Sequence, residues 1–305
     1  MNRGMFLLVF SFFLTTAALG VNTQTDGKKA PLLQKKTSAY DGPKQGDIIT
    51  NRIGMKLVYI PAGDFMMGSD DGEPNEKPVH KVTISKGFYM GVTEVTQAQY
   101  QALMDANPSA FKGDNNPVER VIRDEAMEFC RKLSQSDGQI YTLPTETQWE
   151  YACRAGTTTK YSFGSSESEL HKYGNYCDKS NTTGYDWQDK QHDDGYDKTA
   201  PVGSYMPNNF GLYDMHGNVW EWCRDWFDER YYSKSGTVDP ENTQSTGFHV
   251  LRGGNWRNWA SVCRSATRFK LPPDFRSNSV GFRVVIDVES AHSWAKTKGG
   301  LKLSP

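Results

Sequence analysis

The chain has 305 residues, enough for one large domain or two small ones, and its 35 Lys and Arg nearly cancel 36 Asp and Glu. No global field therefore draws it to nucleic acid or to an anionic membrane. Twenty-eight Gly, 8 Trp and 15 Tyr argue against a helical bundle and for a domain of loops and turns packed on aromatic side chains.

Arg3, the apolar run from Met5 to Leu14 and the small residues Ala18 and Gly20 have the order of a secretory signal peptide over 1–20. The run is shorter than the ~20 residues a bilayer span needs. No lipobox cysteine follows it, so the mature chain is predicted to be periplasmic or secreted, without a membrane span. Residues 21–50, rich in Lys, Thr, Gln and Gly, read as a flexible lead. Short strands are predicted at Met55 to Ile60 and Phe65 to Met67, parted by the turn Pro61-Ala62-Gly63, then at Val79 to Ile84 and Phe88 to Met90.

Thr96 can cap a helix running to Met104, and Ala126, Phe129, Cys130 and Leu133 share one face of a second. Thr145 and Gln148 have capping-box spacing ahead of Trp149, Tyr151 and Ala152, which predicts a third, short helix. From Gly156 to Pro207 the chain is mostly Gly, Asn, Asp, Ser and Tyr, a coil too long for a compact domain unless something fixes it, metal ions being one means. A strand near Phe248, a loop over 253–280 and a closing strand from Phe282 to Ile286 complete one α+β domain over 51–288. Residues 289–305 read as a flexible tail. Cys130, Cys153, Cys177, Cys223 and Cys263 fit neither a zinc ribbon nor a redox pair, so in an exported chain one or two structural disulfides are expected. The histidines form no metal-binding cluster by spacing and read as loop or edge residues.

Several segments carry a resemblance when taken together. They are Ile60-Pro61-Ala62-Gly63 with Met67-Gly68; Val92-Thr93-Glu94-Val95-Thr96; Leu143 to Tyr151; and Thr199-Ala200-Pro201-Val202. Further on come Gly211 to Trp222 with its Gly217-Asn218-Val219-Trp220-Glu221-Trp222 core, Arg252-Gly253-Gly254 and Gly281-Phe282-Arg283. In this order, over roughly 230 residues, they resemble the formylglycine-generating-enzyme (sulfatase-modifying-factor) family. The resemblance implies a loop-rich fold similar to C-type lectins and two structural Ca2+ sites. The first would use the side chains of Asn175 and Asp194 with the carbonyls of Tyr176 and Tyr196. The second would use the side chains of Asp214 and Glu221 with the carbonyls of Gly217 and Val219. Every position keeps an oxygen donor, and Asp214 stands where the family often has Asn, which adds a charge.

Catalytic members of that family hold copper(I) on two loop cysteines, soft ligands that suit the ion. Counted forward from Gly254, Cys263 takes the second cysteine's place and Asn258 the first. Counted back from Arg268, Pro273, Asp274 and Gly281-Phe282-Arg283, neither cysteine has a counterpart. Either way copper loses a thiolate, and Cys223 can serve as disulfide partner to Cys263. The favoured reading is a non-catalytic module that binds a peptide, protein or glycan ligand, or builds an envelope assembly, through Trp256, Arg257, Asn258, Trp259, Arg264 and Arg276. The alternative is a divergent oxidoreductase that converts a protein cysteine to formylglycine using Cys263.

Overall fold

The computed structural model describes residues 42–287; the predicted signal peptide, most of the lead and the tail lie outside the described residues. The chain opens with strands β1 (Ile48–Thr50), β2 (Lys56–Ile60), β3 (Gly63–Met67), β4 (His80–Ile84) and β5 (Phe88–Gly91). Helices α1 (Gln97–Met104) and α2 (Arg123–Asp137), strand β6 (Tyr141–Thr142) and helix α3 (Glu146–Arg154) follow. After a long irregular stretch come β7 (Trp220–Trp226), β8 (His249–Arg252), β9 (Phe269–Leu271), β10 (Val280–Gly281) and β11 (Val285–Asp287).

Local chemistry sets the helix starts. Thr96 accepts from the Gln99 amide at 3.2 Å and the Gln99 side chain returns to the Thr96 amide at 3.0 Å. Thr145 and Gln148 repeat the exchange at 3.1 and 3.0 Å, so both helices begin where the capping pattern predicts. On α2, Ala126, Phe129, Cys130 and Leu133 are buried and join Tyr100, Trp222 and Phe282 in the largest core cluster.

The five-stranded sheet has the order β1-β2-β5-β11-β6, with β11 antiparallel to both β5 and β6. The last strand thus sits beside the first ones and closes the fold on itself. The second sheet has the order β10-β7-β8-β9, and β3 pairs with β4 alone. Two boundaries differ from expectation. β1 falls inside the segment read as a flexible lead, because Ile48 to Thr50 pair with Val58 to Lys56. Phe282 to Val284 precede the closing strand instead of forming it: the carbonyls of Phe282 and Val284 take the amides of Val95 and Gly91, and Arg283 turns inward to Glu221.

Charge is buried in this fold as well as apolar surface. Glu146 and Glu150 on α3 are 2% and 0% exposed. Arg268 Nε and Nη2 donate to Glu146 at 2.6 and 2.8 Å, Arg154 Nε donates to Glu150 at 2.9 Å, and Arg252 pairs with both glutamates. Burial alone would raise the Glu150 carboxyl; Arg154 and Arg252 hold it below the usual range instead. The grid ties α3 to β8 and to the loop before β9. Removing one partner from such a grid leaves a buried charge uncompensated, which costs about 3 to 5 kcal/mol. Arg252→Met is expected to lose stability on that scale in urea unfolding, and a loss below about 1 kcal/mol would show that the grid does not anchor the helix.

Candidate cation loops and the C-terminal loop

Between α3 and β7 the only regular element among the described residues is a short 3-10 turn at Glu167–Lys172, so side-chain oxygens do the work of a ladder. Asp194 Oδ2 accepts the Tyr176 amide at 2.8 Å and its Oδ1 the Tyr196 amide at 3.0 Å. Asp178, fully buried, accepts the amides of Ser180 and Asp194. Three acceptors converge on the Ser180 hydroxyl: Asp178 Oδ1 at 2.6 Å, Asp194 Oδ1 at 3.1 Å and the Tyr196 carbonyl at 2.9 Å. One hydroxyl has one proton for the three. Burial, with Asp178 beside it, raises the Asp194 carboxyl to about 7.

Asn175 joins this loop to the next. Its amide donates to the Lys198 carbonyl at 2.6 Å and to Asn218 Oδ1 at 3.3 Å, and its own Oδ1 is buried without a partner. Asp214, Gly217 and Asn218 all take positive φ, at 59°, 108° and 58°, which folds the 214–218 turn tightly enough for the Gly217 amide to reach the Gly253 carbonyl at 2.8 Å. A Cβ on Gly217 would collide with the Asn175 carbonyl oxygen; only glycine fits there. Asp214 Oδ2 accepts the Gly203 amide at 2.7 Å, while its Oδ1 has no partner. Burial raises the Asp214 carboxyl to about 6.

Glu221 is placed differently from the other expected ligands. Its Oε1 accepts from Arg283 Nη2 at 2.6 Å, and its Oε2 accepts from Arg283 Nε at 2.6 Å and Trp149 Nε1 at 2.8 Å. Besides Asp214, a carboxylate at this turn with a free oxygen is Glu94, which spacing gave no reason to single out. It is 1% exposed, takes the Asn218 amide on Oε1 at 3.0 Å, and has no partner on Oε2. No group of three or more His, Cys, Asp and Glu side chains among the described residues converges on one point. A cation here would therefore draw on amide and carbonyl oxygens as well as carboxylates, the mixed donor set that calcium takes.

The C-terminal loop divides into buried and exposed parts. Trp256 is 3% exposed, with Nε1 on the Asn278 carbonyl at 3.2 Å, Phe111 against its edge and the Lys198 ammonium over its face. Asn258 Oδ1 takes the Asn255 amide at 3.1 Å and its carbonyl takes the Cys177 amide at 2.8 Å. Arg264 is clamped to Glu76 by bonds of 2.7 and 2.8 Å, and Arg276 to Glu125 by bonds of 2.6 and 2.7 Å. Beside Arg264 lies a cavity of about 390 Å³ whose rim carries Asp70, Asp71, Thr159 and Lys160. Trp259, 44% exposed, meets Trp187, 46% exposed, edge to face at 5.7 Å. Tyr185 stacks on Trp187 at 4.5 Å, and Trp187 Nε1 donates to the Arg257 carbonyl at 3.1 Å. Trp187 belongs to this surface, and its one visible signal was an aromatic pair inside an Asx-rich coil.

All five cysteines are buried free thiols, which corrects the expected disulfide. Cys223 packs with Trp149 and Val250, whereas Cys263 packs in a separate cluster with Tyr161, Leu170 and Tyr176. Burial pushes the Cys263 thiol up to about 12. Gly254 lies against it: a Cβ there would come within 2.5 Å of Sγ. His216 and His249 are core residues, not edge ones, at 2% and 1% exposure. His216 Nδ1 donates to the Cys263 carbonyl at 2.8 Å, so Nε2 is the acceptor for the Ser162 amide at 3.1 Å and hydroxyl at 3.0 Å.

Two main sheets and the β3–β4 pair, joined by long, side-chain-braced loops and closed by the last strand, are the C-type-lectin-like architecture of the formylglycine-generating enzymes. Residues 49–288 match the Sulfatase-modifying factor enzyme 1-like domain, and the chain belongs to that family. It is 31% identical to the formylglycine-generating enzyme of Streptomyces coelicolor, over 76% of this chain and 89% of the relative. PvdO from Pseudomonas aeruginosa superposes with a TM-score of 0.71 at 27% identity, covering 81% of this chain and all of that one. Treponema denticola variable protein 1 gives 0.67 at 29% identity, over 78% and 98%. Among the described residues no helix is long and apolar enough to cross a membrane.

Burial lowers the His216 imidazole from 6.5 to about 4, and Arg154 adds to the shift against the Cys263 carbonyl. The folded pKa lies below the unfolded one, so the neutral ring contributes stability above pH 6.5 that is lost as pH falls towards 4. His216→Gln is expected to melt below the wild type at pH 7.5, with the gap shrinking by pH 4.5. A gap independent of pH in parallel thermal melts would remove the histidine from the acid response.

Proposed function

We propose that this chain is an exported, calcium-stabilised member of its family that binds a ligand instead of oxidising a substrate thiol. The observation that carries the reading is the state of Cys263. It is the only cysteine in the loop after Gly254, and it is wholly buried in an aromatic cluster with its thiol held protonated. Copper(I) is gathered by thiolates, and a nucleophilic or metal-binding cysteine needs a lowered pKa and a path to solvent. Asn258 offers an amide in place of a second sulfur, and its oxygen is already spent on the Asn255 amide. Oxidation of a protein thiol through Cys263, the alternative, would require opening that cluster.

The partnerless oxygens of Asn175 and Asp214 and the crowding at Ser180 support two calcium sites in the irregular half of the fold. Asn175 and Asp194 with the carbonyls of Tyr176 and Tyr196 would hold one ion. Asp214 with the carbonyls of Gly217 and Val219 would hold the other. Bound calcium supplies compensating charge to the folded state alone, and so stabilises it. The exposed aromatic group of Trp187 and Trp259 at Arg257 is the part of the loop suited to a peptide, protein or glycan ligand, since Trp and Arg concentrate at recognition surfaces.

The direct test supplies the mature protein with copper, reductant and a peptide bearing the Cys-x-Pro-x-Arg sulfatase motif, and follows aldehyde formation by mass spectrometry. No turnover is expected. Turnover that vanishes in Cys263→Ser would overturn the non-catalytic reading.

A further inference from the structure

The turn at 214–221 encloses three carboxyl groups, those of Glu94, Asp214 and Glu221, each 1% exposed or less, and one guanidinium, that of Arg283. Arg283 spends its charge on Glu221, which it grips through both oxygens. Glu94 and Asp214 are left over. Asn218, four residues after Asp214 in the same turn, ties Glu94 to it, and each carboxyl is fixed by one oxygen only, Glu94 by Asn218 and Asp214 by the Gly203 amide. The remaining oxygens, Glu94 Oε2 and Asp214 Oδ1, are buried and partnerless.

Two carboxylates buried at one turn, each with an oxygen that no donor reaches, are strongly disfavoured unless a proton or a cation compensates them. We infer that Glu94 is a cation ligand of this loop: Glu94 and Asp214, not Glu221, supply its carboxylates to a hard divalent ion. No sulfur or imidazole joins them, and an all-oxygen set selects calcium-like ions over zinc or copper. Glu94 stands three residues before the first residue of α1, at the end of the turn whose Val95 amide is held by the Phe282 carbonyl. Cation binding would therefore tie the first helix and the irregular half of the fold to one point.

This inference rests on the calcium reading above, and the experiment separates the two. Full-length mature protein, stripped with EDTA, is titrated with CaCl2 in a calorimeter and melted with and without the ion. Glu94→Gln keeps the side-chain length and the oxygen that accepts from Asn218. It is expected to lose at least tenfold affinity at one of two sites, to leave the other unchanged, and to melt in EDTA at or above the wild type, because a carboxylate pair has been relieved. Glu94→Asp, which keeps the charge and shortens the reach, is expected to fall between the two and reads the same site should Glu94→Gln not fold. Wild-type affinity at both sites in either variant would overturn the assignment of Glu94 and leave the calcium reading standing. An EDTA melt of Glu94→Gln below the wild type with unchanged affinity would assign Glu94 a packing role instead. A wild type that takes up no calcium would sink both.

Discussion

Everything irregular in this fold depends on buried carboxylates finding positive charge. Around α3 the protein supplies that charge itself, with Arg154, Arg252 and Arg268 set against Glu146 and Glu150. Around the 214–221 turn it supplies less: Arg283 satisfies Glu221 and leaves one oxygen each of Glu94 and Asp214 without a partner. In the loop before it, Asp178 and Asp194 crowd a single serine hydroxyl. One half of the domain is thus self-neutralising, and the other leaves buried carboxyl oxygens without a partner. Asn175 and Asn218 connect the two loops directly.

This division explains why the family motifs are so spread along the chain. Glu146 and Glu150 in the Leu143–Tyr151 segment matter because Arg252, ahead of the glycine pair, meets them across the core. Glu221 matters because Arg283 of the last motif reaches it at 2.6 Å. Gly217 and Gly254 matter because a backbone carbonyl and a thiol occupy the space a side chain would need. Short fragments that look weak alone are two ends of one buried contact.

Much of this was legible in the sequence, and the parts that were not have a common cause. The capping boxes at Thr96 and Thr145 and the apolar face of α2 are local signals, and they mark the helices to within a few residues. β7 and the entry of Ile48–Thr50 into the first sheet depend on partners far along the chain, which no local pattern reports. The same holds for the site. Asn175, Asp194 and Asp214 were candidates by the family resemblance, whereas Glu94 becomes a candidate only when folding brings it to the turn that carries Asp214. Trp256 looked like a binding residue and is core, because Phe111 and Asn278 arrive from elsewhere to cover it. The disulfide expected of Cys223 and Cys263 fails for the same reason, since the two belong to different clusters.

The scaffold positions keep their oxygens, while the loop after Gly254 keeps one sulfur, Cys263, and that one is buried. Calcium in the retained loops is the proposal on which the reading of this fold rests. A crystal structure grown with calcium and measured at a long wavelength tests it most directly. Two anomalous peaks are expected, one beside Asn175 and Asp194 and one between Asp214 and Glu94. Featureless density at both places, with the carboxyls closed on each other, would contradict it.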